Sequence, residues 1–218
     1  VVLGVTTEGY KEILSITVGA NETSKFWLGM LNDLKNRGLK DVLFFCVDGL
    51  SGFKEAISAV YPQAQIQRRV IHMLRNSFKY VNYSDLKKFS SDFKAVYNAP
   101  NETAAYAELE GLKEKWGRKY PYAIRNWENN WEDVSSFFQF SEEIRKIMYT
   151  TNILEGLNRQ YRKVTKTKSV FPSDQSLEKM LYLASENITK KWTQRYRGWD
   201  QVLNQLIVLY GERLTEYL

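Results

Sequence analysis

The chain has 218 residues, 44% hydrophobic and 26% charged, enough apolar material for one large domain or a domain carrying an insertion. No stretch nears the roughly 20 continuous apolar residues that a membrane helix needs, and no basic-then-apolar leader opens the sequence, so a soluble, cytoplasmic protein is expected. There are 31 Lys and Arg against 25 Asp and Glu, a net charge of +6, and the single Cys and single His exclude a disulfide framework and a zinc site.

Residues 1–5 and 10–18 read as two strands joined by Thr6-Thr7-Glu8-Gly9, a hairpin whose turn uses the permissive backbone of Gly9. No cap or turn precedes the first run, so the sequence is expected to begin inside a strand. After the polar residues 21–24, Trp27, Met30, Leu31 and Leu34 recur at helical spacing, and Gly38 ends that helix. Residues 42–47 are an unbroken apolar run between Asp41 and Asp48, the pattern of a central strand covered on both faces, with Cys46 as a small core residue. The turn at 49–52 leads into a short helix ending near Tyr61 and Pro62, and 65–69 can form a further strand.

From about Asp85 the pattern is helical only. Leu86, Phe89, Phe93 and Val96 share one face, Pro100 breaks the run, and Ala105, Leu109, Leu112 and Trp116 share the next. An aromatic region with Trp127, Trp131, Phe137, Phe138 and Phe140 follows, more in keeping with packing between helices than with a base-stacking platform. Three more helices are expected from about Thr151, Ser173 and Trp199. The predicted organisation is an α/β core in two parts, 1–82 and 149–218, interrupted by a helical insertion at 83–148.

Asp48 directly follows the buried strand, so its carboxylate is expected at the carboxyl end of the sheet, where α/β folds place ligand sites; a turn or cap aspartate is the plainer alternative. Asp41 begins the same strand, and seven residues of strand rise put it about 23 Å away, too far to share a metal. In Asn152-Ile153-Leu154-Glu155-Gly156-Leu157-Asn158-Arg159-Gln160-Tyr161-Arg162-Lys163 and the residues just after it, the apolar residues Ile153, Leu157, Tyr161 and Val164 fall on one side of a helix. Glu155, Arg159, Arg162 and Lys166 fall on the other. That stripe is either a ladder of exposed ion pairs or a metal-holding carboxylate backed by cations that grip DNA. Residues 156–173 contain no acid at all, and Lys163 and Lys168 add to their basic charge. His72 shares a helical face with Arg75 and Lys79; a lone His of this kind is more often a packing residue than a ligand.

Together and in this order, these segments closely resemble the mutator-type family of bacterial insertion-sequence transposases. The matching stretches are Leu3-Gly4-Val5, Lys25-Phe26-Trp27, Leu31-Asn32-Asp33-Leu34-Lys35-Asn36-Arg37-Gly38, Val47-Asp48-Gly49-Leu50, His72 with Arg75-Asn76, Thr150-Thr151-Asn152 with Glu155, Lys163-Val164-Thr165-Lys166-Thr167-Lys168 and Phe171-Pro172-Ser173-Asp174. The resemblance implies a ribonuclease H-like mixed sheet with its first strand missing from this sequence, interrupted by the all-α insertion and followed by C-terminal helices. It implies an Asp-Asp-Glu set in which Asp48 is the second Asp and Glu155 the Glu, holding two Mg²⁺ ions, with Mn²⁺ as an alternative. His72, Arg75, Asn76, Arg159, Arg162, Lys163, Lys166 and Lys168 are then expected to contact DNA. The implied reaction is cleavage of transposon ends and their transfer into DNA by a homo-oligomer, in a bacterial, nucleoid-associated setting. The alternative is a truncated, non-catalytic remnant that binds DNA or a full-length partner.

Two departures bear on the chemistry. The family's first Asp falls before Val1, which leaves two of three carboxylates here and implies that this stretch is inactive alone. The family also places Cys or Asp three residues before the His, where this chain has Arg69. A cation there can either tighten phosphate contact or oppose metal binding.

Overall fold

The computed structural model describes residues 1–19, 23–48, 52–149, 152–167 and 170–218. In chain order the elements are β1 (Val2–Val5), β2 (Lys11–Ser15), α1 (Ser24–Asn36), β3 (Phe44–Val47), α2 (Phe53–Val60), β4 (Gln65–Arg68), α3 (Val70–Phe78), α4 (Tyr83–Tyr97), α5 (Glu102–Trp116), α6 (Pro121–Glu128), α7 (Trp131–Ser135), a 3-10 turn (Ser136–Gln139), α8 (Glu142–Tyr149), α9 (Asn152–Thr165), α10 (Asp174–Thr189), α11 (Trp199–Tyr210) and α12 (Glu212–Thr215). The class is mixed α/β and mostly helical. Its described strands form two small sheets, β1 antiparallel to β2 and β3 parallel to β4.

The contacts divide the chain into two compact units: Val1–Leu43, Ser51–Ala64 and Thr150–Leu218 form one, and Phe44–Leu50 with Gln65–Tyr149 the other. The first of these units holds β1, β2, α1, α2 and the helices from α9 onward, and the second holds β3, β4, α3 and the helices from α4 to α8.

In the first unit the β1–β2 turn takes the form its residues dictate. Gly9 sits at φ +90°, and a side chain there would run into the Trp199 ring, whose Nε1 donates to the Thr7 carbonyl at 2.9 Å. The start of α11 therefore caps the hairpin. Helix α1 begins at the N-cap Thr23, whose hydroxyl accepts from the Phe26 N–H, and buries Met30, Leu31 and Leu34. It packs on α2, which buries Ala56, Ile57 and Val60. Each such large side chain removed from water contributes about 1.5–3 kcal/mol before entropy costs.

A second apolar cluster joins Leu157 and Tyr161 of α9 to Leu181 of α10, with Leu3, Ile13 and Ile16 of the hairpin region packed against it. The Tyr161 hydroxyl lies 2.6 Å from Ser185 Oγ, and Glu178 of α10 accepts from the Val18 N–H at 2.9 Å. Asp41 lies outside β3, which starts at Phe44 instead of Val42; it is gripped by Arg213 of α12 through Nε and Nη2 at 2.7 and 2.8 Å. These hydrogen bonds hold the Asp41 carboxyl below the usual carboxylate range against the opposing effect of its burial.

In the second unit the aromatic side chains form the core. Phe89, Phe93 and Trp127 are each fully buried, with ring centroids 4.7 Å apart for Phe89 and Phe93 and 4.8 Å for Phe93 and Trp127. The Trp127 N–H donates to Ser77 Oγ at 3.0 Å and the Trp116 N–H to Asp92 at 2.9 Å, so neither indole buries an unsatisfied donor. Trp127 and Phe137 thus pack between helices, as their pattern predicted. No helix among the described residues is long and apolar enough to cross a membrane.

Candidate functional site

The register of the parallel pair sets Asp48 in place. Phe44, Phe45, Cys46 and Val47 face Gln65, Ile66, Gln67 and Arg68 in turn, so the next residue on each strand is Asp48 and Arg69. The Arg69 N–H donates to the Val47 carbonyl at 2.9 Å and extends the ladder by one bond. Beyond it the side chains meet: Arg69 Nη1 lies 2.9 Å from Asp48 Oδ1. That oxygen is buried and makes no directed hydrogen bond among the described residues, so the contact is an ion pair with poor hydrogen-bond alignment. The Asp48 side chain keeps 39% exposure and Arg69 only 14%, which leaves the carboxylate reachable from solvent and the guanidinium largely enclosed.

Arg69 is also the N-cap residue of α3. Its side chain does not cap, and the first turn carries no acidic residue. A cation at a helix N-terminus is electrostatically disfavoured, so Asp48 supplies the negative charge which that end of the helix lacks. One turn on, His72 is half-buried, with Nδ1 shielded from water and unbonded among the described residues. Arg75 is exposed and Asn76 half-buried further along the helix. Burial pushes the Cys46 thiol up to about 12, against the opposing pull of Arg69, although the residue is half-buried and lies outside the fully buried core.

A polar network under this edge was not anticipated from the sequence. Gln67 is 2% exposed; its side chain accepts from Ser136 Oγ at 2.9 Å and donates to the Arg68 carbonyl at 2.9 Å and, more weakly, to the Asp133 carbonyl at 3.4 Å. Arg68 donates to Asn130 Oδ1, and Gln139 donates to Gln65 at 3.2 Å. Strand β4 is thereby tied to α7 and the 3-10 turn. The one local signal is a glutamine in an otherwise buried strand position, and it does not say where the partner lies.

Glu155 belongs to the other compact unit. It lies in the first turn of α9, favourable for a carboxylate, while Arg162 and Lys163 occupy the last turn, favourable for cations. Leu157 and Tyr161 are buried, so the apolar side of α9 faces inward as its spacing predicted. Glu155 is half-buried with Oε1 shielded from solvent, and Arg159, Arg162, Lys163 and Lys166 are all exposed. Lys168 lies outside the described residues, as do Gly49, Leu50, Thr150 and Thr151 of the quoted motifs.

Carboxylate oxygens are the donors that a hard divalent cation takes. Asp48 fits such an ion in kind: one oxygen has no directed hydrogen bond among the described residues and its carboxylate is reachable, with Arg69 as the local competitor. Among the described residues no group of three or more His, Cys, Asp or Glu side chains converges as a ready metal cluster.

A sequence profile of the family described as Transposase, Mutator family matches residues 1–195. The chain belongs to that family. Relatives within 41% identity include the transposase for insertion sequence element ISRM3 of Rhizobium meliloti, aligned over 214 residues, 98% of this chain and 54% of the relative. A probable transposase for an insertion sequence element of Corynebacterium diphtheriae is 36% identical over 99% of this chain and 69% of its own length. The transposase for IS905 of Lactococcus lactis is 33% identical over 96% and 54%. This Mutator-family chain thus spans about half the length of the ISRM3 transposase, 54% of it.

Proposed function

We propose that this chain is the catalytic region of an insertion-sequence transposase, cutting DNA at the ends of a mobile element and joining those ends to target DNA with divalent cations held on carboxylates. The observation that carries the reading is Asp48, set by strand register at the carboxyl edge of a parallel pair with a buried oxygen that makes no hydrogen bond among the described residues. The names of the relatives point to transposition and the motif register to the same reaction.

In this proposal Asp48 and Glu155 hold the metal. When bound, Mg²⁺ supplies charge neutralisation at the scissile phosphate and orientation of the attacking water or 3′-hydroxyl. The chain's own residues do the rest. The exposed cations Arg159, Arg162, Lys163 and Lys166 line one surface of α9 and are suited to a run of phosphates, with Lys168 proposed to continue it. His72, Arg75 and Asn76 are assigned to the strand being cut, where the shielded His72 Nδ1 makes no hydrogen bond among the described residues. No covalent intermediate with the protein is required.

The ribonuclease H-like sheet is part of the same proposal. An antiparallel hairpin, a parallel pair ending in a carboxylate and a helical stretch between that pair and the Glu helix support it. Such a sheet also needs a further strand and a third carboxylate, which are not found among the described residues. DNA is the proposed partner, and a homo-oligomer follows from the need to hold two ends at once; a cytoplasmic, nucleoid-associated place goes with that substrate. In the protein at its natural length, Glu155→Gln is expected to abolish joining of a labelled transposon end while end binding persists. Joining at wild-type rate would remove Glu155 from the site.

One observation favours a second reading, a chain that binds DNA or a full-length partner without cutting it: the guanidinium of Arg69 sits on the carboxylate that the metal needs. Cleavage assayed across a range of Mg²⁺ and Mn²⁺ separates the two, since the second reading gives none at any concentration.

A further inference from the structure

The register that brings Asp48 to the sheet edge brings Arg69 with it, because each is the first residue past the last paired position of its strand. Their contact is therefore built into the backbone, and rotation of one surface side chain does not create it. Arg69 is fixed from three directions: its N–H bonds to Val47, it is the N-cap of α3, and its side chain is 14% exposed. The neighbouring residues Arg68 and Gln67 are anchored in turn by Asn130 and Ser136. A guanidinium so enclosed at a helix N-terminus needs a compensating anion, and among the described residues Asp48 Oδ1 at 2.9 Å supplies it. The same oxygen is the one that a hard cation would seek.

We propose that Arg69 is an internal competitor for the Asp48 carboxylate, a positioning residue that sets the concentration of divalent cation at which the site forms. The inference rests on the reading of Asp48 as a metal ligand. A cation approaching Asp48 has either to take Oδ1 from the guanidinium or to bind through the second oxygen beside a fixed positive charge. Both weaken binding, and both restrict it to conditions in which a further negative charge, such as a DNA phosphate, draws Arg69 away. Divalent cation and DNA then favour each other's binding: the phosphate takes the guanidinium and the metal takes the carboxylate.

The test is Mn²⁺ binding to the protein at its natural length, read from the electron paramagnetic resonance signal of free Mn²⁺, with and without a DNA duplex carrying a transposon end. Wild type, Arg69→Gln, Arg69→Lys and Asp48→Asn are compared, each first shown to be folded by its melt in chelator. Arg69→Gln removes the charge and is expected to tighten Mn²⁺ binding on the order of tenfold without DNA. Arg69→Lys keeps the charge and is expected to stay within a few-fold of wild type. DNA is expected to tighten Mn²⁺ binding in wild type and to add little in Arg69→Gln. If Arg69→Gln does not fold, Arg69→Met gives the same neutral comparison. Unchanged or weaker Mn²⁺ binding in the neutral variant, with Asp48→Asn still lowering it, would overturn the competitor role and leave the metal site standing. Mn²⁺ binding insensitive to Asp48→Asn would overturn the metal site itself.

Discussion

Asp48 and Glu155 are presented by two regions built on different physics. Helix α9 holds Glu155 through apolar contact: Leu157 and Tyr161 sink into a cluster with Leu181, and the charged side follows from helical geometry alone. The β3–β4 edge holds Asp48 through strand register, an ion pair to Arg69 and a buried network around Gln67. A carboxylate placed by packing tolerates changes in polar neighbours and fails when volume is lost. One placed by polar contacts does the reverse, because each buried partner removed leaves another unsatisfied.

That contrast can be broken by substitution. The largest effect is expected from Leu157→Ala, which empties a fully buried position and should cost about 3 kcal/mol in chemical denaturation; a cost below about 1 kcal/mol would mean that α9 is held by something else. Gln67→Leu keeps volume but removes the partner of Ser136 and the donor to the Asp133 carbonyl, and is expected to cost about 2 kcal/mol. A neutral result there would show that the network does not hold the strand. Tyr161→Phe deletes only the hydroxyl beside Ser185 in the packed region and should cost about 1 kcal/mol.

The acid limb of stability offers a finer probe of the first unit. Asp41 has its folded pKa lowered by Arg213, so its contribution is present above its unfolded value near 3.9 and is lost as pH falls through the lower folded value. Asp41→Asn is expected to reduce stability at neutral pH and flatten the stability profile below about pH 4. An unchanged slope would mean that the Arg213 grip does not persist in solution. On the DNA side, Arg162→Gln should lower the slope of log binding constant against log salt by about one, with little effect on stability.

The same contrast explains what could be read from the residues. The apolar side of α9, the α1 face at Met30, Leu31 and Leu34 and the hairpin turn at Gly9 were legible because helical spacing and turn chemistry are local. Asp48 was legible as an address because an apolar run of strand length ended on it. Its partner was not, since Asp48 and Arg69 meet only through the pairing of two strands, and the sign of the Arg69 effect stayed open. Gln67 with Ser136 and Asp41 with Arg213 were out of reach for the same reason: nothing near either residue in sequence names the other. Strand ends were also read too long, with β2 stopping at Ser15 and β3 starting at Phe44, because an apolar run marks what is buried and not where the ladder is bonded.

Whether the two differently built regions serve one reaction is tested most directly by single-turnover joining of a labelled transposon end in Mg²⁺, with Asp48→Asn and Glu155→Gln measured side by side in the protein at its natural length. The expected result is a loss on the order of a thousandfold in both, with end binding held within a few-fold of wild type. Near-wild-type joining by either variant would contradict the assignment of Asp48 and Glu155 to a single metal-dependent centre.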